Sequence, residues 1–423
     1  MMTASGSPAA GMPASGVFDK RPRWLVACLL LLFLTAGAIR LYRLHAPGVL
    51  IDREYTSAVF ARSFYFQMSG AVEPWREEIA VLTKQNQPIL EPPVTEFMVS
   101  LIYLVSGGER LWAAHVLTSL FWLAGGVFFY RAARLLLPAE GALVALVYYL
   151  FVPMGILISR SFQPDSLMMM LFMISIFCIM RHFDMPGRKG LLFAAGLSGL
   201  AILYRPLIVF GLLGMFSALT IQRRGRWQDL FGKDFIIYAT ISLLPAFLYY
   251  GYGTFVAGYL GWKYSSSFRP GLFRYREYWI GWLDLAVTGA GYLAMIAGLF
   301  GFALARGKAR AVLIGLWSGY LVFGLLFNMH IHTHAYYHAQ LIPAVALSLG
   351  ILTTAIRDQV GRQALARFWY LPVLAALALI AFLNVRTVRS SIGWPRIESL
   401  QTAQEVGEIV GHSSRTVYLS RYY

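Results

Sequence analysis

The amino-acid sequence predicts an all-α polytopic membrane protein. Of its 423 residues, 58% are hydrophobic and only 13% are charged, and the mean hydropathy is +0.60. Soluble domains carry about 25% charged residues. Apolar runs of roughly 16–25 residues recur along the chain, which is the length that a helix needs to cross a bilayer.

The apolar runs predict three regions. Residues 1–23, rich in Ala, Gly, Ser and Pro, are expected to form a disordered cytoplasmic N-terminus, and residues 24–385 a transmembrane domain. The polar tail 386–423 is expected to be extracytoplasmic and to begin a soluble domain that the sequence truncates. Eleven transmembrane helices are predicted, at 24–43, 111–135, 140–158, 165–181, 190–204, 206–221, 235–252, 284–305, 311–328, 338–356 and 368–385.

The net charge of +16 agrees with this topology. Basic residues are concentrated at the N-terminus and in alternate short loops, as the positive-inside rule requires of cytoplasmic segments. The excess therefore needs no nucleic-acid partner. The same bias places the loops that carry the unusual polar residues on the extracytoplasmic side. The two cysteines lie within predicted spans, so no disulfide framework is expected.

The segment 44–110 is predicted to be a large first extracytoplasmic loop, and loops of such length are usually functional or disordered. Asp52-Arg53-Glu54 follow the first span, and Glu91-Pro92-Pro93 lie near the far end of the loop. Apolar periodicity and length predict interfacial or re-entrant helices within it. These helices are expected at 55–68, 73–84 and 94–106.

Three carboxylates of the extracytoplasmic side are candidates for catalysis. Asp52 and Glu54 are separated by one residue at the edge of the first span, where desolvation can turn a carboxylate into a general base. The alternative is ordinary juxtamembrane charge, paired with Arg53 or Arg62. Asp165 either caps the helix that follows it or serves a function at the edge of the bundle.

Cations and histidines on the same side are candidates for substrate binding. Arg205, in a break between two spans, either snorkels to the interface or binds a phosphate. Four histidines lie within nine residues, and of these only His334 and His338 would share a helix face. The cluster either binds a metal or forms a polar loop that hydrogen-bonds a phosphate or sugar; its members are His330, His332, His334 and His338. The candidate substrate-binding residues are Lys84, Glu91, Arg160, Arg205, Lys263, Arg269, His334, Tyr337 and His338.

Taken together, these motifs resemble the GT-C-fold integral-membrane glycosyltransferases, in particular the group of protein O-mannosyltransferases and the lipid A aminoarabinose transferase (glycosyltransferase family 39 or 83). The resemblance covers about residues 45–350. Its motifs are Asp-Arg-Glu at 52–54, Glu-Pro-Pro-Val at 91–94, Arg-Ser-Phe-Gln-Pro-Asp at 160–165 and His-Ala-Tyr-Tyr-His at 334–338. Two departures stand out: Arg53 separates acids that are adjacent in the family, and Glu91 occupies a position that is usually His or basic.

The resemblance implies a GT-C fold, a base at Asp52 or Glu54, and a second acidic position at Asp165. It implies an inner (plasma) membrane enzyme that moves a hexosyl or pentosyl group from a polyprenyl-phosphate-linked donor to a lipid, glycan or protein acceptor by inverting displacement. No cofactor is required by the resemblance, although a divalent metal is compatible with it. The alternative function is a transporter or flippase of a lipid-linked anionic sugar, although transporters place such charges near the membrane midplane.

Overall fold

The computed structural model describes residues 23–44, 52–70, 72–85, 87, 90–261, 267–360, 405–411 and 413, and their regular secondary structure is helical. The principal helices are α1 (Arg23–Leu41), α2 (Asp52–Ser69), α3 (Pro74–Gln85), α4 (Val94–Ser106), α5 (Leu111–Ala133), α6 (Ala139–Phe151), α7 (Pro153–Arg160), α8 (Asp165–Asp184), α9 (Arg188–Tyr204), α10 (Val209–Arg224), α11 (Lys233–Gly251), α12 (Arg276–Ala290), α13 (Tyr292–Leu304), α14 (Gly307–Leu326) and α15 (Leu341–Val360).

Within the described ranges, six helices are long and apolar enough to cross a membrane, and two bent helix pairs raise this number to eight. The chain is a multi-pass membrane protein. The predicted helices at 24–43 and 190–204 are present as α1 and α9, and the first-loop helices are present as α2, α3 and α4. The predicted span 368–385 and nearly all of the tail 386–423 lie outside the described residues.

The predicted span 284–305 is wrong as a single straight helix. It is divided between α12 and α13, which meet at an angle of 92°. Gly291 lies at the junction with φ +85°, a conformation that glycine adopts without steric cost. The predicted span 140–158 is likewise divided into α6 and α7, with a bend of 52° at Pro153. Hydropathy alone did not reveal either bend because both runs are continuously apolar.

A buried arginine satisfies the backbone at the α6–α7 bend. Pro153 has no N–H for the carbonyl of Tyr149, four residues before it, and that carbonyl accepts from Nε1 of Trp122 at 3.3 Å. The neighbouring carbonyl of Leu150 lies at the same bend. Arg40 of α1 is fully buried, and its Nη2 donates to the carbonyl of Leu150 at 2.9 Å. Its Nε donates to Oγ of Ser159 at 2.8 Å. Arg40 therefore ties α1 to both halves of the bent span.

Glycines bring α10 and α14 into direct backbone contact. A Cβ atom added to Gly319 would lie 2.4 Å from the backbone nitrogen of Gly211. A Cβ atom added to Gly315 would lie 2.2 Å from Cα of Met215. Small residues four positions apart permit this close approach, which is a common way for helices to associate in a bilayer. The packing of α10 fixes the position of the chain break that precedes it.

Candidate active site

The break between α9 and α10 places Arg205 inside the bundle. Pro206 disfavours helical geometry at the residue before it, and Arg205 is accordingly extended, with φ −153° and ψ 106°. Arg205 is only 4% exposed, and its guanidinium lies 3.1 Å from Oε1 of Glu91 and 3.4 Å from Oδ1 of Asp165. The snorkelling interpretation of Arg205 is therefore wrong, because the charge is buried and paired.

Glu91 connects Arg205 to a second arginine. Its Oε2 lies 2.5 Å from Nη2 of Arg53, in the first turn of α2. Arg53, Glu91, Arg205 and Asp165 thus form a continuous ion network. The rings of Tyr336 and Tyr337 lie 5.4 and 5.9 Å from Cζ of Arg205, within the range of cation–π attraction. Four separate segments of the sequence supply its charged residues, and a fifth supplies the two tyrosines.

Glu54 lies beside the network, in the first turn of α2. Its Oε1 accepts a hydrogen bond from the backbone N–H of Phe162 at 2.9 Å, and its side chain is buried. The arginines considered as its partners bind other acids, since Arg53 contacts Glu91 and Arg62 contacts Glu109. Helix α2 begins at Asp52, whose side chain lies outside the described set.

Asp165 begins α8, but its side chain does not cap that helix. The N-cap position is Pro164, and no side-chain capping hydrogen bond occurs at this helix end among the described residues. The capping interpretation of Asp165 is therefore wrong. Its carboxylate is 1% exposed and faces Arg205. A carboxylate buried to this extent is costly unless a cation neutralises it, which Arg205 does.

A pocket adjoins the network. The empty space between its walls, including the open mouth, is about 460 Å³. Its lining combines charged and polar side chains with aromatic and aliphatic ones. The lining residues are Glu91, Arg205, Pro206, Leu207, Tyr250, Ser267, Phe323, Phe327, His330 and Tyr337.

The other predicted cations lie apart from this network. Lys84 is 4.4 Å from the ring centroid of Phe64, and desolvation by burial lowers the pKa of its ammonium group. Arg160 donates to carbonyls at the end of α1. Arg269 has an exposed side chain, and Lys263 lies outside the described residues.

The predicted histidines do not share a helix face. His334 precedes the 3₁₀ helix Ala335–Gln340, whereas His338 lies within it. The ring of His338 contacts the hydroxyl of Tyr320 at 2.8 Å and the carbonyl of Ile331 at 2.9 Å, so both nitrogens have partners inside the fold. His334 contacts the hydroxyl of Thr333 and is partly exposed to solvent. His338 is thus well placed to support the pocket wall.

Three residues at or beside this site were not among the predicted site residues: Arg53, Glu96 and Ser267. His330 and Ser267 line the pocket, and His330 Nε2 lies 3.1 Å from Ser267 Oγ. Glu96 is buried in the first turn of α4 and accepts a hydrogen bond from Ser57 Oγ at 2.7 Å; burial raises the pKa of its carboxyl group. An acid inside an otherwise apolar helix was the available signal for Glu96.

Among the described residues, no group of three or more His, Cys, Asp and Glu side chains is arranged to hold a metal ion. The histidines at 330–338 contact a tyrosine, a serine, a threonine and backbone carbonyls.

The chain is similar to known membrane glycosyltransferases in sequence and in fold. A family model described as dolichyl-phosphate-mannose-protein mannosyltransferase matches residues 90–250, a range that includes Glu91, Asp165 and Arg205. The crystal structure of ArnT from Cupriavidus metallidurans bound to undecaprenyl phosphate matches with a TM-score of 0.54 and 14% identity, over 86% of this chain and 70% of that chain. The chain has the GT-C fold.

Two further structures share this GT-C fold. ArnT of the same organism in the apo state matches with a TM-score of 0.52 and 16% identity, over 88% of this chain and 73% of that chain. The archaeal oligosaccharyltransferase AglB from Archaeoglobus fulgidus, in complex with an inhibitory peptide and a dolichol-phosphate, matches with a TM-score of 0.53 and 10% identity. The match covers 89% of this chain and 56% of AglB.

No curated protein sequence matches the chain significantly. The predicted resemblance of this GT-C protein to protein mannosyltransferases and ArnT is confirmed by the family model and by the fold.

Proposed function

We propose that the protein is a glycosyltransferase that moves a sugar from a polyprenyl-phosphate-linked donor to an extracytoplasmic acceptor. The observation that carries this proposal is the buried network of Arg53, Glu91, Arg205 and Asp165 beside a pocket. A GT-C scaffold needs a cation for the lipid phosphate and a carboxylate for the acceptor, and both are present at one place. Two structures with the same fold carry polyprenyl or dolichyl phosphate.

Arg205 is the proposed ligand of the donor phosphate. In the displacement, the bond between the anomeric carbon and the phosphate oxygen breaks, and the leaving phosphate gains one negative charge. A cation that is already in place lowers the energy of the transition state more than that of the bound donor. Tyr337, His330 and Ser267 line the same pocket and supply further polar contacts for phosphate or sugar oxygens.

Glu54 or Asp52 is the proposed general base. The amide N–H of Phe162 holds one oxygen of Glu54 and thereby orients its carboxylate. The base takes the proton of an acceptor hydroxyl or amine while the acceptor atom bonds to the anomeric carbon. The attack comes from the side opposite the leaving phosphate, so the configuration of the anomeric carbon is inverted. The proposed role of Asp165 is to keep the guanidinium of Arg205 oriented through their contact. Asp165 accepts no proton in this scheme.

The charge bias of the loops supports a cytoplasmic N-terminus and a site on the extracytoplasmic face, and the proposed location is the inner (plasma) membrane. The positive-inside pattern is strongest at the N-terminus and in the loops around Arg223 and Arg306. The orientation can be tested with variants that carry a single cysteine in one of these loops. In intact spheroplasts, a membrane-impermeant thiol reagent should fail to label these cysteines if the loops are cytoplasmic.

The test of the enzymatic function is the release of polyprenyl phosphate in detergent. The purified protein is incubated with undecaprenyl-phosphate hexose or pentose, and membrane extract from its own cells supplies the acceptor. A glycosyltransferase releases undecaprenyl phosphate without any compartments, whereas a flippase does not. Absence of release with every donor would refute the proposal.

The base assignment is tested with Glu54→Gln and Asp52→Asn. The variant that lacks the base is expected to lose transfer by at least about 100-fold, the usual contribution of general base catalysis, while donor binding is retained. Glu140→Gln is the matched control, because Glu140 pairs with Arg357 away from the network. Full activity of both variants would refute a base at either position.

A further inference from the structure

Glu91 bridges the two arginines of the network. Its two carboxylate oxygens lie 3.1 Å from Arg205 and 2.5 Å from Arg53, so one carboxylate bridges two guanidinium groups. Carboxylates and phosphates satisfy guanidinium forks with the same hydrogen-bond geometry. Glu91 also lines the pocket in which the donor phosphate is proposed to bind.

The charges of the network are already balanced when Glu91 is in place. Arg53 and Arg205 are matched by Glu91 and Asp165, and two more buried acids, Glu54 and Glu96, lie close by. A phosphodiester that simply joined this network would add a negative charge to a buried cluster in which acids already match or outnumber the arginines, which is unfavourable in a region of low dielectric constant. A phosphodiester that replaced Glu91 would leave the total charge unchanged.

We propose that Glu91 is an internal competitor of the donor phosphate, holding the two arginines in the empty site and leaving them when a phosphate binds. This inference rests on the proposed function, because it takes Arg205 as the phosphate ligand. Glu91 lies outside any helix, immediately before Pro92-Pro93. Its side chain can therefore move without unfolding α4, which begins at Val94.

The same competition has a consequence for product release. After transfer, the lipid phosphate is a monoester with a larger negative charge than the donor, so it binds the arginines more strongly. Return of the Glu91 carboxylate to Arg53 and Arg205 offsets this attraction and favours dissociation. A variant without the carboxylate is expected to bind both donor and product tightly and to turn over slowly.

A different role for Glu91 predicts the opposite result. If Glu91 only positions the arginines, its removal would misplace Arg205 and weaken phosphate binding. The amide of glutamine preserves the size of the side chain and one acceptor oxygen, so Glu91→Gln separates the two possibilities. Glu109→Gln is the matched control, since Glu109 pairs with Arg62 in an exposed ion pair on the same loop.

The experiment measures binding of undecaprenyl phosphate to the full-length protein in nanodiscs, by titration with radiolabelled lipid. Glu91→Gln is expected to lower the Kd at least tenfold, and kcat and KM for the donor are expected to fall together. Glu109→Gln should leave the Kd unchanged. If Glu91→Gln does not fold, Glu91→Asp, whose side chain is one methylene shorter and therefore holds the two arginines less closely, is expected to lower the Kd at least threefold.

Arg205→Ala, alone and combined with Glu91→Gln, distinguishes two kinds of failure. Binding that requires Arg205 but is unchanged or weakened in Glu91→Gln would overturn the competitor role and leave the proposed function intact. If Arg205→Ala leaves the Kd for undecaprenyl phosphate unchanged, the phosphate site on which the proposed function depends would be overturned.

Discussion

Replacement of Arg205 with methionine should destabilise the protein strongly, because it leaves two buried acids without their shared cation. The side chains of Arg205, Glu91 and Asp165 are 5%, 7% and 1% exposed. Removal of one partner from a buried ion pair costs about 3–5 kcal/mol, since the remaining charge is desolvated and uncompensated. Glu91 keeps its contact with Arg53, so most of the cost is expected to come from Asp165.

A double-mutant cycle isolates the Arg205–Asp165 contact. The four proteins are the wild type, Arg205→Met, Asp165→Asn and the double variant. Methionine and asparagine are close in size to the residues they replace, and neither carries a charge. The double variant is expected to be more stable than the two single effects predict, with a coupling of at least about 1 kcal/mol, as for other residues in direct contact.

The assay is reversible unfolding in mixed micelles at increasing mole fractions of sodium dodecyl sulfate, followed by tryptophan fluorescence. Arg62→Met is the matched control, because Arg62 is half exposed in its pair with Glu109 and such surface pairs contribute about 0.2–1 kcal/mol. Additive effects in the cycle, or an Arg205→Met variant no less stable than Arg62→Met, would refute the argument that this network is buried and coupled.

Two further predictions concern packing and pH. Gly319→Ala should lower the free energy of unfolding by about 1–3 kcal/mol, because its Cβ would lie 2.4 Å from the backbone of Gly211. Gly108→Ala, with open space around its Cβ, should have little effect, and equal effects of the two would contradict the contact between α10 and α14. For Glu96, burial raises the pKa above its usual 4.5, so the folded state binds more protons than the unfolded state and the free energy of unfolding falls as pH rises above 4.5. Glu96→Gln should reduce this fall, and a pH profile of unfolding identical to that of the wild type would contradict the burial of the carboxyl group.

The sequence by itself determined the membrane class, most of the helices and the order of the acidic motifs. These features follow from local properties, namely the length and hydropathy of each run and the turn preferences of proline and glycine. For this reason, the helices predicted at 55–68, 73–84 and 94–106 correspond to α2, α3 and α4 of the first loop. The sequence also predicted that Asp165 and Arg205 lie at breaks between helices, because each is next to a proline, Pro164 or Pro206.

Only the tertiary structure decided which charges meet. Glu91 pairs with Arg53, 38 positions away, and with Arg205, 114 positions away, and no local pattern encodes these distances. The bend of 92° at Gly291 has the same origin, because an uninterrupted apolar run is equally compatible with a straight helix and with a bent pair. Ion pairing inside a bundle depends on the relative placement of helices, which arises from the packing of all of them together.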